Sequence, residues 1–211
     1  MAKATSSRRP VQRAGADTRS RRPSGEVRRQ RILDAAVELF SSKGYRGTGL
    51  AALAQRVDMT ATGLLYYFGT KERLLQEVVA ERDRVDALPA GEALTFDSLR
   101  SLGRHNTETA LLTRLYVVLG AESLDDDEPL HDFFVQRYAT GRAIVRSILE
   151  AGIADGTVRD DVRVDAVAAE FIAVVMGLEI QWLTDPERVD LAAGVEGYVD
   201  RLERQLAPWG T

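Results

Sequence analysis

Hydrophobic residues recur at helical spacing along almost the whole chain, without the period-two alternation between turns that strands require. The pattern therefore predicts an all-α protein. Near the N-terminus, Ile32, Ala36 and Phe40 form a row of inward-facing positions four residues apart, which predicts a first helix over residues 26–43. A lysine and a C-cap glycine, Lys43-Gly44, end that helix.

Two short helices separated by a tight break are predicted between Thr48 and Lys71, and the rest of the chain is organised around them. Thr48 is the expected N-cap of the first short helix, and Thr60 is the expected N-cap of the second. Asp58-Met59 forms the break, and Thr70 is expected to cap a longer helix over residues 71–85. Two helices of this size joined by a tight turn are typical of a helix-turn-helix.

The second short helix has one face that points away from the core. Leu64 and Phe68 lie four residues apart and define the inward face, whereas Thr62 and Tyr66 fall on the opposite pole at about 100° per residue. Gly63 flanks that pole and permits another molecule to approach closely. Such a face suits a DNA groove. The alternative is a helical hairpin that only packs, with its tyrosines covering the edge of the core.

An ordered and ungapped set of residues spans Arg31 to Leu75. It comprises Ile32 to Tyr45 (ILDAAVELFSSKGY), Thr48, Leu53-Ala54, Met59-Thr60, Leu64, Tyr66, Phe68, Lys71-Glu72 and Leu74-Leu75. This set resembles the DNA-binding domain of the tetracycline-repressor (TetR/AcrR) family of bacterial regulators. Asp58 replaces a usual turn glycine, Leu65 stands where many members carry the first of two tyrosines, and Tyr67 occupies a position that is often histidine.

The resemblance implies a symmetric homodimer that sets two recognition helices into successive major grooves of a palindromic operator. Thr62 and Tyr66 are expected to reach the groove, with Ala61 and Gly63 allowing close approach. Phosphate contacts, which fix register without reading sequence, are expected from Thr48, Thr60, Tyr67 and Lys71.

The chain is predicted to have four parts. These are a disordered basic arm (1–24), the helix-turn-helix domain (25–70), a connecting helix (71–88) and a larger helical domain for ligand binding and dimerisation (92–207). The segment Leu88-Pro89-Ala90-Gly91 is typical of a turn, and it marks the predicted boundary between the connecting helix and the larger helical domain. Further helices are predicted over residues 96–102, 106–123, 129–153, 165–183 and 186–206.

The predicted helix over residues 165–183 is apolar nearly all round, and the last helix carries a sustained apolar stripe. A four-helix bundle made from two copies of this pair would cover both helices, and it matches the dimer interface of the resembled family. The expected interface residues are Phe171, Val174, Leu178, Leu191, Val195, Tyr198 and Leu202. The alternative is that both helices bury themselves within one protomer.

The resemblance also implies a small-molecule effector site in the C-terminal domain. The expected lining residues are Leu115, Tyr116, Phe133, Arg137, Met176 and Trp182. For any one of these residues, a place in a filled core is the favoured alternative. A bound effector is expected to favour a conformation whose two recognition helices are wrongly spaced for the operator.

Composition narrows the remaining possibilities. The chain has no cysteine, so disulfides and thiolate metal sites are excluded. A signal-peptide core and an uninterrupted bilayer-spanning apolar stretch are not expected, which fits a cytoplasmic protein. The net charge of -4 hides an asymmetry, because residues 1–31 carry +8 and the remainder -12. A basic arm on an acidic body suits contact with DNA, and a solvated tail without a specific role is the alternative.

Other chemistry finds little support in the sequence. The acidic run from Asp125 to Glu128, with His131, could hold a hard cation, but helix capping before Pro129 explains it better, so no metal or cofactor is expected. Catalytic triads, phosphate loops and metal-ligand spacings that would support an enzyme are not found. The principal prediction is a ligand-released repressor. The alternatives are a constitutive DNA-binding activator without a ligand and a helical enzyme or carrier for an apolar small molecule.

Overall fold

The computed structural model describes residues 25–85 and 94–209. Within these ranges it contains nine helices and no strand, which confirms the all-α prediction. The helices are α1 (Gly25–Lys43), α2 (Leu50–Arg56), α3 (Ala61–Phe68), α4 (Lys71–Val85), α5 (Phe96–Glu108), α6 (Ala110–Ala121), α7 (His131–Asp155), α8 (Val164–Thr184) and α9 (Leu191–Leu206). The predicted basic arm and the predicted domain boundary at residues 88–91 lie outside the described residues.

Helix boundaries follow the sequence predictions closely up to α4 and differ in the larger domain. α5 continues to Glu108 instead of ending at residue 102, and α6 begins only after Thr109. α7 begins at His131 rather than at Pro129, which lies in the preceding turn. α9 begins at Leu191 rather than at residue 186, because the Asp190 side chain caps it by accepting a hydrogen bond from the Ala193 N–H at 3.0 Å.

The core of the N-terminal domain continues into the larger domain. Ile32, Ala36 and Phe40, the predicted inward row of α1, are completely buried. They belong to one hydrophobic cluster that includes residues of α2, α3 and α4, and also Leu115 of α6 and Phe134 of α7. α1 and α6 pack extensively against each other. Shared burial of apolar side chains therefore holds the two domains together along these two helices.

A second hydrophobic cluster fills the C-terminal part, where α5 and α9 pack side by side. Their backbones approach closely at Gly103, because a Cβ atom there would lie 2.9 Å from the Val195 Cβ. Arg100 of α5 adds polar links to α9, since its Nε donates to Asp200 at 2.8 Å and its guanidinium also pairs with Glu203. The last helix is therefore packed against α5 of its own protomer.

The turn between α2 and α3 requires a left-handed backbone at Asp58. This residue has a φ of 56° and is the only non-glycine residue with a positive φ among those described. The turn lets the Met59 N–H donate to the Ala54 carbonyl oxygen at 2.9 Å, which closes the end of α2. Aspartate visits this conformation more readily than most residues, so it can replace the glycine that is usual here.

Substitution of Asp58 by valine is expected to destabilise the protein by about 1–2 kcal/mol, because a β-branched side chain is strained at positive φ. Substitution by glycine should be close to neutral. Urea denaturation of both variants measures the effect, with Asp126→Val as a control at an exposed position of ordinary φ. Equal stability of the two valine variants would contradict the role given to the turn.

Candidate functional site

α3 presents the two faces that its sequence predicts. Leu64 and Phe68 are buried, whereas Thr62 is exposed and Tyr66 is 87% exposed. The N-cap prediction for Thr60 is confirmed, since its hydroxyl oxygen accepts a hydrogen bond from the Gly63 N–H at 3.0 Å. Tyr66 does not cover the edge of the core, so packing within the protomer does not explain an aromatic residue at this position.

The other predicted residues of α3 surround this exposed pole. The Tyr67 ring packs partly against the core and meets the Tyr66 ring edge-on, with centroids 5.7 Å apart. Ala61 and Gly63 are partly exposed beside Thr62. The result is a small surface with two tyrosine rings, one threonine side chain and little bulk between them.

Thr48 has a different role from the one predicted for it. The N-cap of α2 is Gly49, and Thr48 is completely buried. Its hydroxyl donates to the Gly44 carbonyl oxygen at 2.7 Å and lies 3.3 Å from the Leu39 carbonyl oxygen, so it closes the turn that follows α1. A buried and internally bonded hydroxyl cannot reach a phosphate. The N-cap and phosphate-contact predictions for Thr48 are therefore wrong.

Lys71, at the start of α4, has partners within the protein. Its Nζ donates to the Tyr45 carbonyl oxygen at 2.6 Å and lies 4.0 Å from the centre of the Tyr45 ring. Partial burial lowers the pKa of Lys71. The Tyr45 hydroxyl in turn donates to Glu72 at 2.6 Å, and this bond lowers the pKa of Glu72. A carbonyl and an aromatic face thus explain a cation at this helix start, and a phosphate contact by Lys71 stays a prediction.

The end of α6 forms a hydrogen bond with the loop that follows α1. The Glu122 carboxylate accepts a hydrogen bond from the Tyr45 N–H at 2.6 Å. Gly44, which has a φ of 72°, provides the space for that carboxylate, because a Cβ atom at this position would collide with it. On the same side of α6, the Arg114 Nε donates to the Ser41 carbonyl oxygen at 3.1 Å. Polar contacts therefore reinforce the hydrophobic junction between the two domains.

The acidic run after α6 lies at the same junction. Glu128 forms an ion pair with Arg46 of the loop after α1. Carboxylate oxygens of Asp125, Asp127 and Glu128 lie within 4.8 Å of one another, but these groups face solvent or are only partly buried. His131 has its Nδ1 3.2 Å from the Ser123 carbonyl oxygen. Glu128 therefore serves inter-domain contact, and the geometry of the run adds no specific indication of a metal.

Four predicted effector-site residues come together between α6 and α7. Leu115 and Tyr116 of α6 are buried, and the Tyr116 ring stacks with Phe133 of α7 at a centroid distance of 6.4 Å and an interplanar angle of 16°. The Arg137 guanidinium lies 3.8 Å from the centre of the Tyr116 ring. The other two predicted residues lie on α8: Trp182 packs against the second hydrophobic cluster, and Met176 is partly buried.

Glu179 of α8 lies in this region and was not among the predicted residues. Its carboxylate accepts a hydrogen bond from the Asn106 side-chain amide of α5 at 2.6 Å. Burial raises the pKa of Glu179 to about 7, although the Asn106 bond and the charge of Arg137 oppose the rise. Burial also raises the pKa of Tyr138, on α7. A carboxylate between the apolar residues Leu178 and Ile180 was the sequence signal that could have identified it.

Four predicted dimer-interface residues are instead core residues of the protomer. They are Phe171, Leu191, Val195 and Leu202, all of them buried in the second hydrophobic cluster. The interface prediction is wrong for these four because α5, α8 and α9 of one protomer already cover them. Val174, Leu178 and Tyr198 are partly exposed and stay candidates.

α8 keeps a second apolar face on the outside of the protomer. Phe171 and Val175 point inward, whereas Ala169 and Ala173 are exposed and Ile180 is 50% exposed on the opposite pole. By length and composition α8 could cross a membrane, contrary to the expectation from the sequence, and most of this helix is not buried within the protomer. Its outer face is therefore an apolar surface that the protomer leaves exposed.

Two family models match the chain. Residues 32–78 match the bacterial regulatory proteins of the tetR family, and residues 104–207 match the C-terminal part of BetI-type transcriptional repressors. The first match contains the whole of the α2–α3 hairpin, and the second contains the aromatic group on α6 and α7 together with Glu179.

Curated relatives and solved structures agree with these matches. The transcriptional repressor KstR2 of Mycolicibacterium smegmatis is 27% identical over 164 residues, which cover 74% of this chain and 78% of the relative. The repressor NicS of Pseudomonas putida is 30% identical over 148 residues, which cover 64% of this chain and 67% of the relative. A Saccharomonospora viridis regulator in complex with choline superposes with a TM-score of 0.67 at 22% identity. The match covers 87% of this chain and 99% of that structure. A SmeT–triclosan complex superposes with a TM-score of 0.68 at 19% identity, and the match covers 87% of this chain and 93% of that structure.

The fold and the exposed pole of α3 define a helix-turn-helix protein with a separate helical domain. The chain belongs to the TetR family of bacterial transcriptional regulators, whose members are DNA-binding regulators rather than enzymes. The family resemblance read from residues 31–75 is confirmed.

The burial of Glu179 predicts a stability that depends on pH. Between about pH 4.5 and pH 7 the folded protein keeps a proton on Glu179 that the unfolded chain releases, so the free energy of unfolding falls as the pH rises through this window. The groups that face the carboxyl, Asn106 on α5 with Arg137 and Tyr138 on α7, do not reverse this sign.

Glu179→Gln removes that titration and keeps an acceptor for Asn106. The variant should gain stability relative to the native chain by about 2 kcal/mol between about pH 5 and about pH 8. Urea denaturation of both proteins at the two pH values measures the gain. An identical difference at both pH values would show that Glu179 is not buried as described.

Proposed function

We propose that this protein is a transcriptional repressor that binds a palindromic operator as a homodimer and leaves it when a small molecule binds in the C-terminal domain. The observation that carries the proposal is the outward pole of α3, where Tyr66 is 87% exposed beside Thr62 on a helix whose other face is buried. Both curated relatives described above are repressors. A regulator of this kind works in the cytoplasm, where its operator is.

In this proposal α3 lies in the major groove. Thr62 and Tyr66 contact the groove, and the partly exposed Ala61 and Gly63 let the helix approach closely. Contacts to phosphates come from Thr60, Tyr67 and the remaining N–H groups of Lys71. These contacts position the protein, whereas contacts to base edges select the sequence.

Two copies of α3 about 34–36 Å apart are needed to read successive major grooves. The outer face of α8 supports a homodimer, because Ile180 and the exposed Ala169 and Ala173 form an apolar surface that the protomer leaves open. Val174, Leu178 and Tyr198 border this surface. We place the two-fold axis on it, with the second copy of α8 as its cover.

Release by a ligand requires a link between the two domains. Solved proteins of this fold bind choline and triclosan, two chemically different small molecules. In this chain, Tyr116 of the aromatic group and Glu122 of the domain junction lie on or directly after the same helix, α6. A ligand that displaces α6 therefore also displaces the Glu122 carboxylate, which binds the Tyr45 N–H. Complete switching needs a difference in ligand affinity worth about 5.5 kcal/mol, and DNA must weaken the ligand by the same factor.

Replacing Thr62 and Tyr66 together by alanine is expected to weaken operator binding at least about tenfold, because each groove contact contributes on the order of 1–3 kcal/mol. A gel shift on the DNA upstream of the protein's own reading frame measures this. Both side chains are exposed, so helicity and dimer content should not change. Thr140→Ala, at an exposed position of α7, is the control. Unchanged DNA affinity of a folded double variant would exclude α3 as the reading helix.

The same gel shift tests release. Addition of a small-molecule cell extract should dissociate the native protein from DNA. A complex that persists at every extract concentration would favour a constitutive DNA binder over a ligand-released repressor.

A further inference from the structure

We propose that the effector is an organic cation, an ammonium group on an apolar body, held by the Glu179 carboxylate and the aromatic rings of Tyr116, Phe133 and Tyr138. The inference rests on the proposed release by a ligand and names the chemical class of that ligand. The two solved neighbours described above do not by themselves select this class, since one holds the cation choline and the other the phenol triclosan.

The first argument is the position of Glu179. It lies on α8 between two apolar residues, Leu178 and Ile180, it is partly buried, and its hydrogen bond comes from the neutral amide of Asn106. An amide orients a carboxylate but does not neutralise its charge. The charge of Arg137 favours the ionised form, yet the pKa of Glu179 is still raised to about 7, so the negative charge is incompletely compensated. A ligand cation would complete the compensation.

The second argument is the group of aromatic rings on α6 and α7, which is connected to Glu179 through Arg137 and Tyr138, since both interact electrostatically with its carboxylate. Tyr116 and Phe133 are stacked, and the ring of Tyr138 lies 5.8 Å from that of Phe134, the residue next to Phe133. Aromatic faces attract cations through the quadrupole of the ring, and they recognise quaternary ammonium groups in this way. The Tyr116 face already carries the Arg137 guanidinium at 3.8 Å, which shows that this face accepts a cation.

Arg137 therefore occupies the place that a ligand cation would take. It is partly exposed on α7 and has a long flexible stem, so it can move to solvent when a ligand replaces it. An anionic ligand would instead have to approach the partly buried carboxylate of Glu179. For this reason the site favours a cation over an anion, although an arginine is present.

The placement also explains how such a ligand acts on DNA binding. Tyr116 lies six positions before Glu122, less than two helical turns along α6. A cation that takes the Tyr116 face thus contacts the helix that holds the Tyr45 loop.

The test is isothermal titration of the full chain with benzyltrimethylammonium, whose charge no pH removes. Neopentylbenzene, which has the same shape with carbon in place of nitrogen, and the anion phenylacetate are the comparison ligands. The cation should bind more tightly than either. Glu179→Gln should weaken the cation at least about tenfold, the usual loss for a charge-assisted contact, while Glu108→Gln, an exposed carboxylate near the end of α5, should leave it unchanged.

Arg137→Met is expected to change the affinity for the cation in the opposite direction to Glu179→Gln, so the two variants together are diagnostic. Removal of the competing guanidinium should tighten benzyltrimethylammonium binding about tenfold, and the variant keeps the hydrophobic stem against Tyr116. The inference is overturned if millimolar benzyltrimethylammonium gives no binding, if Glu179→Gln binds it equally well, or if phenylacetate binds best and Arg137→Met abolishes that binding. Glu179→Gln is expected to be at least as stable as the native chain, so unfolding cannot imitate the loss.

The titration contains no DNA, so it separates the two proposals. If the protein binds its upstream DNA and a cell extract releases it, but benzyltrimethylammonium does not bind, only the ligand class is wrong. If the cation binds with the predicted dependence on Glu179 but the protein does not bind DNA, the proposed function is wrong and the cation site stands.

Discussion

The burial of α1 against α6 is the interaction on which the rest of this structure depends. Ile32, Ala36 and Phe40 make α1 the wall of the N-terminal core, and the same cluster includes Leu115 of α6. A helix whose hydrophobic cluster continues into both domains cannot shift against one of them without disturbing the other, because packed interiors have few alternative arrangements. The position of α3 is therefore coupled to the interior of the larger domain by ordinary hydrophobic packing.

The N-terminal domain could be predicted almost completely from the sequence because its determinants are local. The spacing of Leu64 and Phe68 determined which face of α3 is exposed, and Thr60 marked its first turn. The start of α4 followed from its cap, since the Thr70 hydroxyl oxygen accepts a hydrogen bond from the Arg73 N–H. The tight turn was also recognisable, since Asp58 stands where a left-handed residue is needed. Each of these features depends on residues within a few positions of one another.

The failures share a different cause, which is contact between residues distant in sequence. Thr48 resembled a helix cap, but its hydroxyl serves the turn after α1. The stripe of α9 was assigned to a partner protomer because its pairing with α5, about a hundred residues earlier, leaves no periodic signal. Glu179 was not predicted, because the side chain that binds it, Asn106, lies on a different helix, α5. A polar residue in an apolar segment contradicts its surroundings, and such contradictions are expected at functional positions.

The fit between Gly44 and Glu122 limits how freely the two halves of this protein can be recombined. Gly44 is required by its positive φ and again by the carboxylate that fills the space beside it, and that carboxylate belongs to the other domain. A chimera that joins residues 25–85 to the effector domain of another regulator would leave the Tyr45 N–H without its acceptor unless the new domain supplies an acidic side chain at the end of its corresponding helix. Exchange of domains in this architecture therefore depends on one pair of residues, Gly44 and Glu122.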